Sequence, residues 1–380
     1  MKLLMVGAIA ESFLLFRSGL IKKLVLNNVE VHVLVNNHSR DELNKLLELG
    51  VIVHSLKISR SQFSFLSDLR TICNIYKKIK EIEPDVLFAF FLKPIILSTV
   101  ASLFNSRLKL IFLVEGLGSA FTYSPKFILR LILIRFLLRI ILKPLLILAH
   151  LRASHVLFLN FDDIKDLKFP SVFTENHSVV GPIGVDLRFF LYTVPQVERI
   201  DFLYVGRLIW DKGLYEYLQA IKIVKKRYPC VSFTFIGGVD FSKTSKFLDG
   251  LITEAVTRGE IIVHGKVQDV RPYIEESSVF VLPSHREGYP RSTQEAMAMG
   301  RAVITTNVPG CRETVIDQYN GFKVGIGDIN ALVDAICYFI EHPSECVRMG
   351  ANSRVIAESN FDASVQEQKI FDIIGGGNEI

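Results

Sequence analysis

"VFVLPSHREGYPRSTQEAMAMG", residues 279–300, sets an apolar run, a turn and a helical pattern in direct succession. The run "VFVL" has no polar alternation. A strand of that kind is buried on both faces, as happens in a parallel sheet covered by helices. The same succession recurs along the chain. "KLLMVGA", "VEVHVLVN", "VLFAFF", "LKLIFLVEG" and "HVLFLN" read as strands in the first half, and "RIDFLYVGR", "VSFTFIGG", "EIIVHGK", "VFVLPS" and "AVITT" in the second. Helical stretches of ten or more residues separate most of them. The fold class is therefore α/β, with a doubly wound parallel sheet in each half. The turn-rich stretch "VVGPIGVDLRFFLYTVPQVERID" has no helical period and places a hinge near residues 181–195. The predicted domains are 1–185 and 195–360, with a last helix over 361–380 that returns to the first domain.

The joint inside the opening stretch holds Glu287 and, eight positions on, Glu295. A helix start normally attracts anions, so two carboxylates around one need a reason. Ser292 to Glu295 fits a capping box, with Ser292 as N-cap and Glu295 as N3, and Gly300 as the stop. Glu287 has no such role. It lies in the turn at the carboxyl end of a parallel strand, where ligands of these sheets bind. A phosphate suits the helix N–H groups, and carboxylates suit neutral hydroxyls beside it. A nucleotide sugar carries both. "FLYVGRLIWDKGLYEYLQAI", residues 202–221, is a second strand, glycine turn and helix. Arg207 and Lys212 at its joint either serve a diphosphate or stand solvated beside Asp211.

The chain has 380 residues, 49% hydrophobic and 22% charged, enough for two ordinary domains and not the composition of a disordered chain. Its five cysteines are scattered with no CxxC spacing, which predicts free thiols in a reducing compartment and no zinc site. Glu11 interrupts the apolar N-terminus, which reads as a first strand and not as a signal segment. The net charge of +5 hides an asymmetry. Residues 1–190 hold 24 basic against 15 acidic residues, and residues 191–380 hold 20 against 24. Within 125–152, "PKFILRLILIRFLLRIILKPLLILAHLR", Arg135, Arg139 and Lys143 share one helical face, Lys126 and Arg130 form a second pair, and Pro144 is expected to break the helix. Two readings stay open: an amphipathic core helix, or an in-plane helix on an anionic membrane surface. Nucleic acid is not expected, because the basic residues lie among aliphatics and not among stacked aromatics.

"EGYPRSTQEAMAMGRAVITTNVPGCRETVIDQYNGF" resembles the donor-site signature of glycosyltransferase family 4, with its Glu-x7-Glu pair. "GRLIWDKG" is similar to that family's phosphate loop. "ESFLLFRSGLIKKL", "EGLGSAFT" and "FLNFDDIKDL" resemble the first domain of bacterial members that extend lipid-linked oligosaccharides. The resemblance implies the GT-B architecture, two Rossmann-like domains facing across a cleft. It implies a retaining, metal-independent transfer of a hexose or N-acetylhexosamine from a UDP-linked donor to a polyprenyl-diphosphate-linked acceptor. The product would enter surface polysaccharide or glycan assembly, including lipopolysaccharide O-antigen. The enzyme would be cytoplasmic and peripheral on the inner face of the plasma membrane, and would need no cofactor.

By the same resemblance Glu287, Arg207 and Lys212 would be catalytic. Glu295 would accept the ribose hydroxyls. Gly206, Gly288, Tyr289, Pro290 and Arg291 would line the donor site, with Gly7 and Arg17 from the first domain. Many members place a His after a first-domain strand, where this chain reads "LVEGLGSAF". Glu115, Gly116 and Gly118 stand there as the acceptor-side candidates. Arg130, Arg135, Arg139 and Lys143 would face the membrane. A glycosidase fits less well, because the two Glu accompany phosphate-binding residues and not an acid–nucleophile pair. The alternatives are a soluble acceptor, or a non-catalytic nucleotide-sugar or nucleic-acid binding protein.

Overall fold

A computed structural model gives the fold and describes residues 1–36, 39–56, 65–118, 121–122, 129–167, 176–238 and 246–375, without the side chains of 65 and 129–139. Lys126 and the side chains of Arg130, Arg135 and Arg139 thus lie outside the described residues.

The chain divides into two α/β units: Met1–Ile183 with Ala363–Ile380, and Gly184–Asp362. The strands of the first are β1 (Lys2–Val6), β2 (Glu30–Val35), β3 (Ile52–Ser55), β4 (Val86–Phe90), β5 (Lys109–Val114), β6 (His155–Phe158) and β7 (His177–Val179). They form one sheet in the order β3-β2-β1-β4-β5-β6-β7, every pair parallel. Leu3 to Val6 and Phe88 to Phe90 are buried on both faces, which is why their sequences show no alternation. The second unit carries β8 (Asp201–Val205), β9 (Ser232–Ile236), β10 (Ile262–Val263), β11 (Val279–Leu282), β12 (Ala302–Thr306) and β13 (Gly321–Val324). Their order is β10-β9-β8-β11-β12-β13, again all parallel. The strand order reverses between β1 and β4 in the first sheet and between β8 and β11 in the second. Ligands of such sheets bind at these switch points.

The helix Ala363–Ile374 packs on Ser18–Leu26 of the first unit. Lys23 donates to Gln368 and stands over the Phe371 ring. Gly19 leaves room for Glu367, whose carboxylate occupies the place a Cβ would take. Near the first crossing into the second unit, the Val185 amide donates to the Phe361 carbonyl at 2.8 Å. The segment after it is held by two arginines. Arg354 reaches the Phe190 and Ala298 carbonyls, and the buried Arg301 reaches the Thr193, Ile274 and Glu275 carbonyls. Burial lowers Arg301 to about 10, so it stays charged at neutral pH, its charge met by carbonyl oxygens.

Two local expectations need correction. The helix Leu129–Arg152 runs through Pro144 without a break. The proline removes one bond, to the Ile140 carbonyl, and both residues sit on the exposed side, where water can replace it. The capping box at Ser292 does not form. The helix Arg291–Ala298 begins two residues earlier, with Pro290 at the N-cap, so Ser292 already lies in its first turn.

Candidate active site

In the second unit glycines set the end of β8 against β9 and the helix that follows β8 against the end of β11. The Gly206 amide donates to Ile236 at 2.9 Å, and a Cβ on Gly237 would lie 1.9 Å from the Gly206 carbonyl oxygen. Arg207 follows with an exposed side chain, and its carbonyl accepts from the buried Tyr204 hydroxyl at 2.9 Å. The 3-10 turn Trp210–Lys212 ends at Gly213, which has φ +68°. A Cβ there would sit 1.8 Å from the Pro283 carbonyl oxygen, so only glycine lets the helix Leu214–Arg227 start this close to β11.

That approach sets Lys212 against Glu287. The Lys212 ammonium donates to Glu287 Oε1, and Ser284 Oγ donates to the same oxygen at 2.6 Å. The Glu287 backbone is fixed too, its amide donating to the Pro309 carbonyl at 3.0 Å. Thr306 donates its hydroxyl to the Ser284 carbonyl. His285 ties the same two segments a second time. Its amide donates to the Asp211 carbonyl at 2.9 Å, and its buried ring meets Glu216 Oε1 at 3.0 Å. Sequence reasoning missed Ser284, His285 and Glu216. A polar pair one proline after the apolar "VFVL", in reach of a carboxylate on the facing helix, was the available signal.

Gly288 and Pro290 are buried between these points. Tyr289 packs edge-on against Phe361, and its hydroxyl donates to the Glu313 carbonyl at 3.3 Å. No side chain caps the helix start at Pro290. One turn along, Arg291 Nε donates to Glu295 Oε1 at 2.9 Å. Burial pushes the Glu295 carboxyl above the ordinary range, and Arg291 partly offsets it. Lys212, Glu287, Gly206 and Arg207 thus gather at the β8/β11 switch point, while Glu295 and Arg291 form a pair on the helix that leaves it. A cation, an uncapped helix start and two carboxylates can hold a dianion beside hydroxyl groups.

In the first unit Gly7 ends β1, and a Cβ on it would fall 2.5 Å from the Phe90 ring. Arg17 and Glu115, given separate roles above, form one buried ion pair. Arg17 also donates to the Phe16 carbonyl at 2.7 Å and lies over the Phe90 ring. Burial raises the Glu115 carboxyl and Arg17 lowers it. Gly116 and Gly118 follow with φ +117° and +69°, so the chain turns sharply away from the pair. All five cysteines are free. Among the described residues no three His, Cys, Asp or Glu side chains gather as metal ligands, and no helix is long and apolar enough to cross a membrane.

Two family models match the chain: glycosyl transferases group 1 over residues 193–355, and glycosyl transferase 4-like over residues 2–146. The chain belongs to this glycosyltransferase family. It is 26% identical over 367 residues to a capsular polysaccharide biosynthesis glycosyltransferase, CapM of Staphylococcus aureus, covering 94% of this chain and 92% of that one. It is 24% identical to the N,N'-diacetylbacillosaminyl-diphospho-undecaprenol alpha-1,3-N-acetylgalactosaminyltransferase of Campylobacter jejuni, covering 89% of each. The Anabaena protein HepE, solved with UDP and glucose, superposes with a TM-score of 0.76 at 19% identity, covering 99% of this chain and 100% of that one. Sucrose-phosphate synthase from Thermosynechococcus elongatus gives 0.77 at 15% identity, with 98% of each covered. These two likenesses show that the glycosyltransferase has the GT-B fold.

Proposed function

We propose that this glycosyltransferase moves a hexose or N-acetylhexosamine, with retention and without a metal, from a UDP-linked donor to a polyprenyl-diphosphate-linked saccharide. The observation that carries the reading is the meeting of Lys212 and Glu287 at the β8/β11 switch point, beside the uncapped helix start at Pro290. In the transfer the bond from sugar C1 to the diphosphate oxygen breaks. A bond from C1 to an acceptor hydroxyl oxygen forms, and that hydroxyl's proton passes to the departing diphosphate. Negative charge grows on the diphosphate as the first bond breaks. Arg207 and Lys212 offset it, with the backbone N–H groups of Gly288, Tyr289 and Arg291 as further donors. Gly206 lets the phosphates approach the backbone. Glu287 accepts hydrogen bonds from the sugar, and Glu295 from the ribose.

Within the first unit, Glu115, Gly116 and Gly118 are the residues proposed for the acceptor, and Gly7 and Arg17, which is paired with Glu115, those proposed for the donor. Arg, Lys and a helix start supply the positive field that a divalent cation supplies elsewhere.

The lipid-linked acceptor is supported by relatives. The Campylobacter jejuni enzyme and an Escherichia coli UDP-Gal:alpha-D-GlcNAc-diphosphoundecaprenol alpha-1,3-galactosyltransferase, 23% identical over 287 residues, both carry diphospho-undecaprenol acceptors in their names. Both make alpha linkages, which supports retention from an alpha-linked donor. Such an acceptor places the enzyme at the cytoplasmic face of the plasma membrane, in surface polysaccharide or glycan assembly. A panel of nucleotide sugars, incubated in EDTA with and without a polyprenyl-diphosphate-linked saccharide, tests the reading. One UDP-sugar should be hydrolysed slowly alone and transferred when acceptor is added. Activity only with Mg²⁺ or Mn²⁺ would refute the metal-free site, and transfer only to soluble sugars would refute the lipid-linked acceptor.

A further inference from the structure

From Ile140 to Leu151 the helix Leu129–Arg152 is apolar on the side that meets solvent as well as on the side that meets the core. Leu142, Leu146 and Ala149 are buried against the first unit. On the opposite face, at the spacing of one helical side, lie Ile140, Ile141, Pro144 and Leu151. Ile140, Ile141 and Leu151 are 55%, 60% and 56% exposed. No charged residue interrupts this face, which spans about 16 Å of helix. A helix apolar all round is normally buried all round.

A second apolar element is fastened to the same end. Arg152, next to Leu151, donates from Nη2 to the Ser102 and Asn105 carbonyls. Those two carbonyls flank Leu103 and Phe104. Phe104 is 96% exposed, a benzyl group standing in water on a loop that the guanidinium holds still. Charge points to what covers the surface. From Val86 to Arg152 the sequence has nine basic residues and one acidic residue, Glu115, whose side chain is buried against Arg17. Arg107 and Lys109 are exposed basic residues of this stretch, while the exposed Asp85, whose carbonyl accepts from the Lys109 amide, adds one acidic group at its edge.

We propose that Phe104 and the outer face of residues 140–151 insert into the interfacial layer of an anionic bilayer, with Arg152 as the clamp that sets the loop beside the helix. The proposal rests on the lipid-linked acceptor of the preceding section and names the surface that meets that lipid's membrane. It differs from adsorption by charge alone, because inserted apolar groups keep their hold when salt screens the basic residues.

The test is co-sedimentation with vesicles of phosphatidylcholine and phosphatidylglycerol at low and at high salt, using the full chain. The parent should bind at low salt and keep a measurable fraction at high salt. Phe104→Ser should lower the high-salt partition about tenfold or more, since most of a buried aromatic ring's transfer energy is lost. Arg152→Gln, which frees the loop but keeps Phe104, should lower it less. Phe104→Trp should give fluorescence that is quenched by vesicles with brominated acyl chains. A folded Phe104→Ser protein that sediments as well as the parent at high salt would overturn the proposal. So would an unquenched tryptophan, or a change in oligomeric state in place of a change in vesicle binding. If vesicles bind as proposed but no polyprenyl-linked saccharide is glycosylated, the surface stands and the acceptor reading falls.

Discussion

Lys212 and Glu287 neutralise each other in a largely buried contact, so on the proposed reading the donor competes with that contact for the lysine. Both become available to a diphosphate and a sugar only through backbone that Gly213 and Pro309 fix in advance. Preorganisation of this kind is where most transition-state stabilisation by charge originates. Lys212→Ala and Arg207→Ala are each expected to lower turnover by roughly 10²-fold or more, read from steady-state rates at saturating donor. Glu295 behaves differently. Burial raises its carboxyl above the ordinary value of 4.5, so the folded protein holds that proton more tightly than the unfolded chain does. Stability from this group is greatest below about that value and is lost as pH rises through the folded one. Glu295→Gln should therefore raise the melting temperature of the ligand-free protein at neutral pH, with the gain shrinking toward pH 4. A variant that melts lower than the parent at neutral pH would show that the Arg291 contact outweighs the burial. At this scale the sequence named Lys212, Glu287 and Glu295 through a resemblance, while the partners of each were invisible. Ser292 matched a capping motif, yet Pro290 starts the helix earlier and leaves Glu295 to Arg291. Arg17 and Glu115 are 98 positions apart, and nothing local announces that they meet.

Most strands legible in the sequence are buried on both faces; β10, an edge strand with Ile262 exposed, was read all the same. β3, β7 and β13 were not marked, for a common reason. β3 is an edge strand, "IVHS", with both ends exposed, β7 has three half-buried residues, and β13 alternates with Lys323 inside it. Edge strands lack the continuous apolar run that marks a central parallel strand. On the β3 edge His32 Nδ1 and His54 Nε2 lie 2.9 Å apart, and His32 Nε2 meets Glu30 at 2.8 Å. Burial, then Lys78 and His32, push His54 below its ordinary 6.5, against a smaller opposite pull from Glu81. The unfolded chain therefore binds that proton more readily, and stability falls as pH drops from 6.5 through the folded value. Corrected for the intrinsic rate, which itself slows on acidification, amide protection at Val53 and Ser55 should fall over that window, more than protection at β1. Replacing His54 with Gln should flatten the difference, and an unchanged profile would mean that the histidine pair does not hold the edge.

Across the molecule, the alternation of apolar runs and helices was enough to read two parallel-sheet units, because each unit repeats one physical unit, a strand covered by the helix that follows it. The return of Ala363–Ile374 to the first unit rests on Phe371 and on the room left by Gly19, contacts with no local pattern. The switch point of the second unit lies where β8 and β11 end, and it is there that Lys212, Glu287 and the helix of Glu295 converge. Whether that convergence is a nucleotide-sugar site is tested most directly by titrating UDP into the ligand-free protein in EDTA by calorimetry, for the parent, Lys212→Ala and Glu295→Ala. The parent should bind without added metal, and each variant should bind at least tenfold more weakly while keeping its fold. Binding that appears only after Mg²⁺ is added, or folded variants that bind UDP as tightly as the parent, would contradict it.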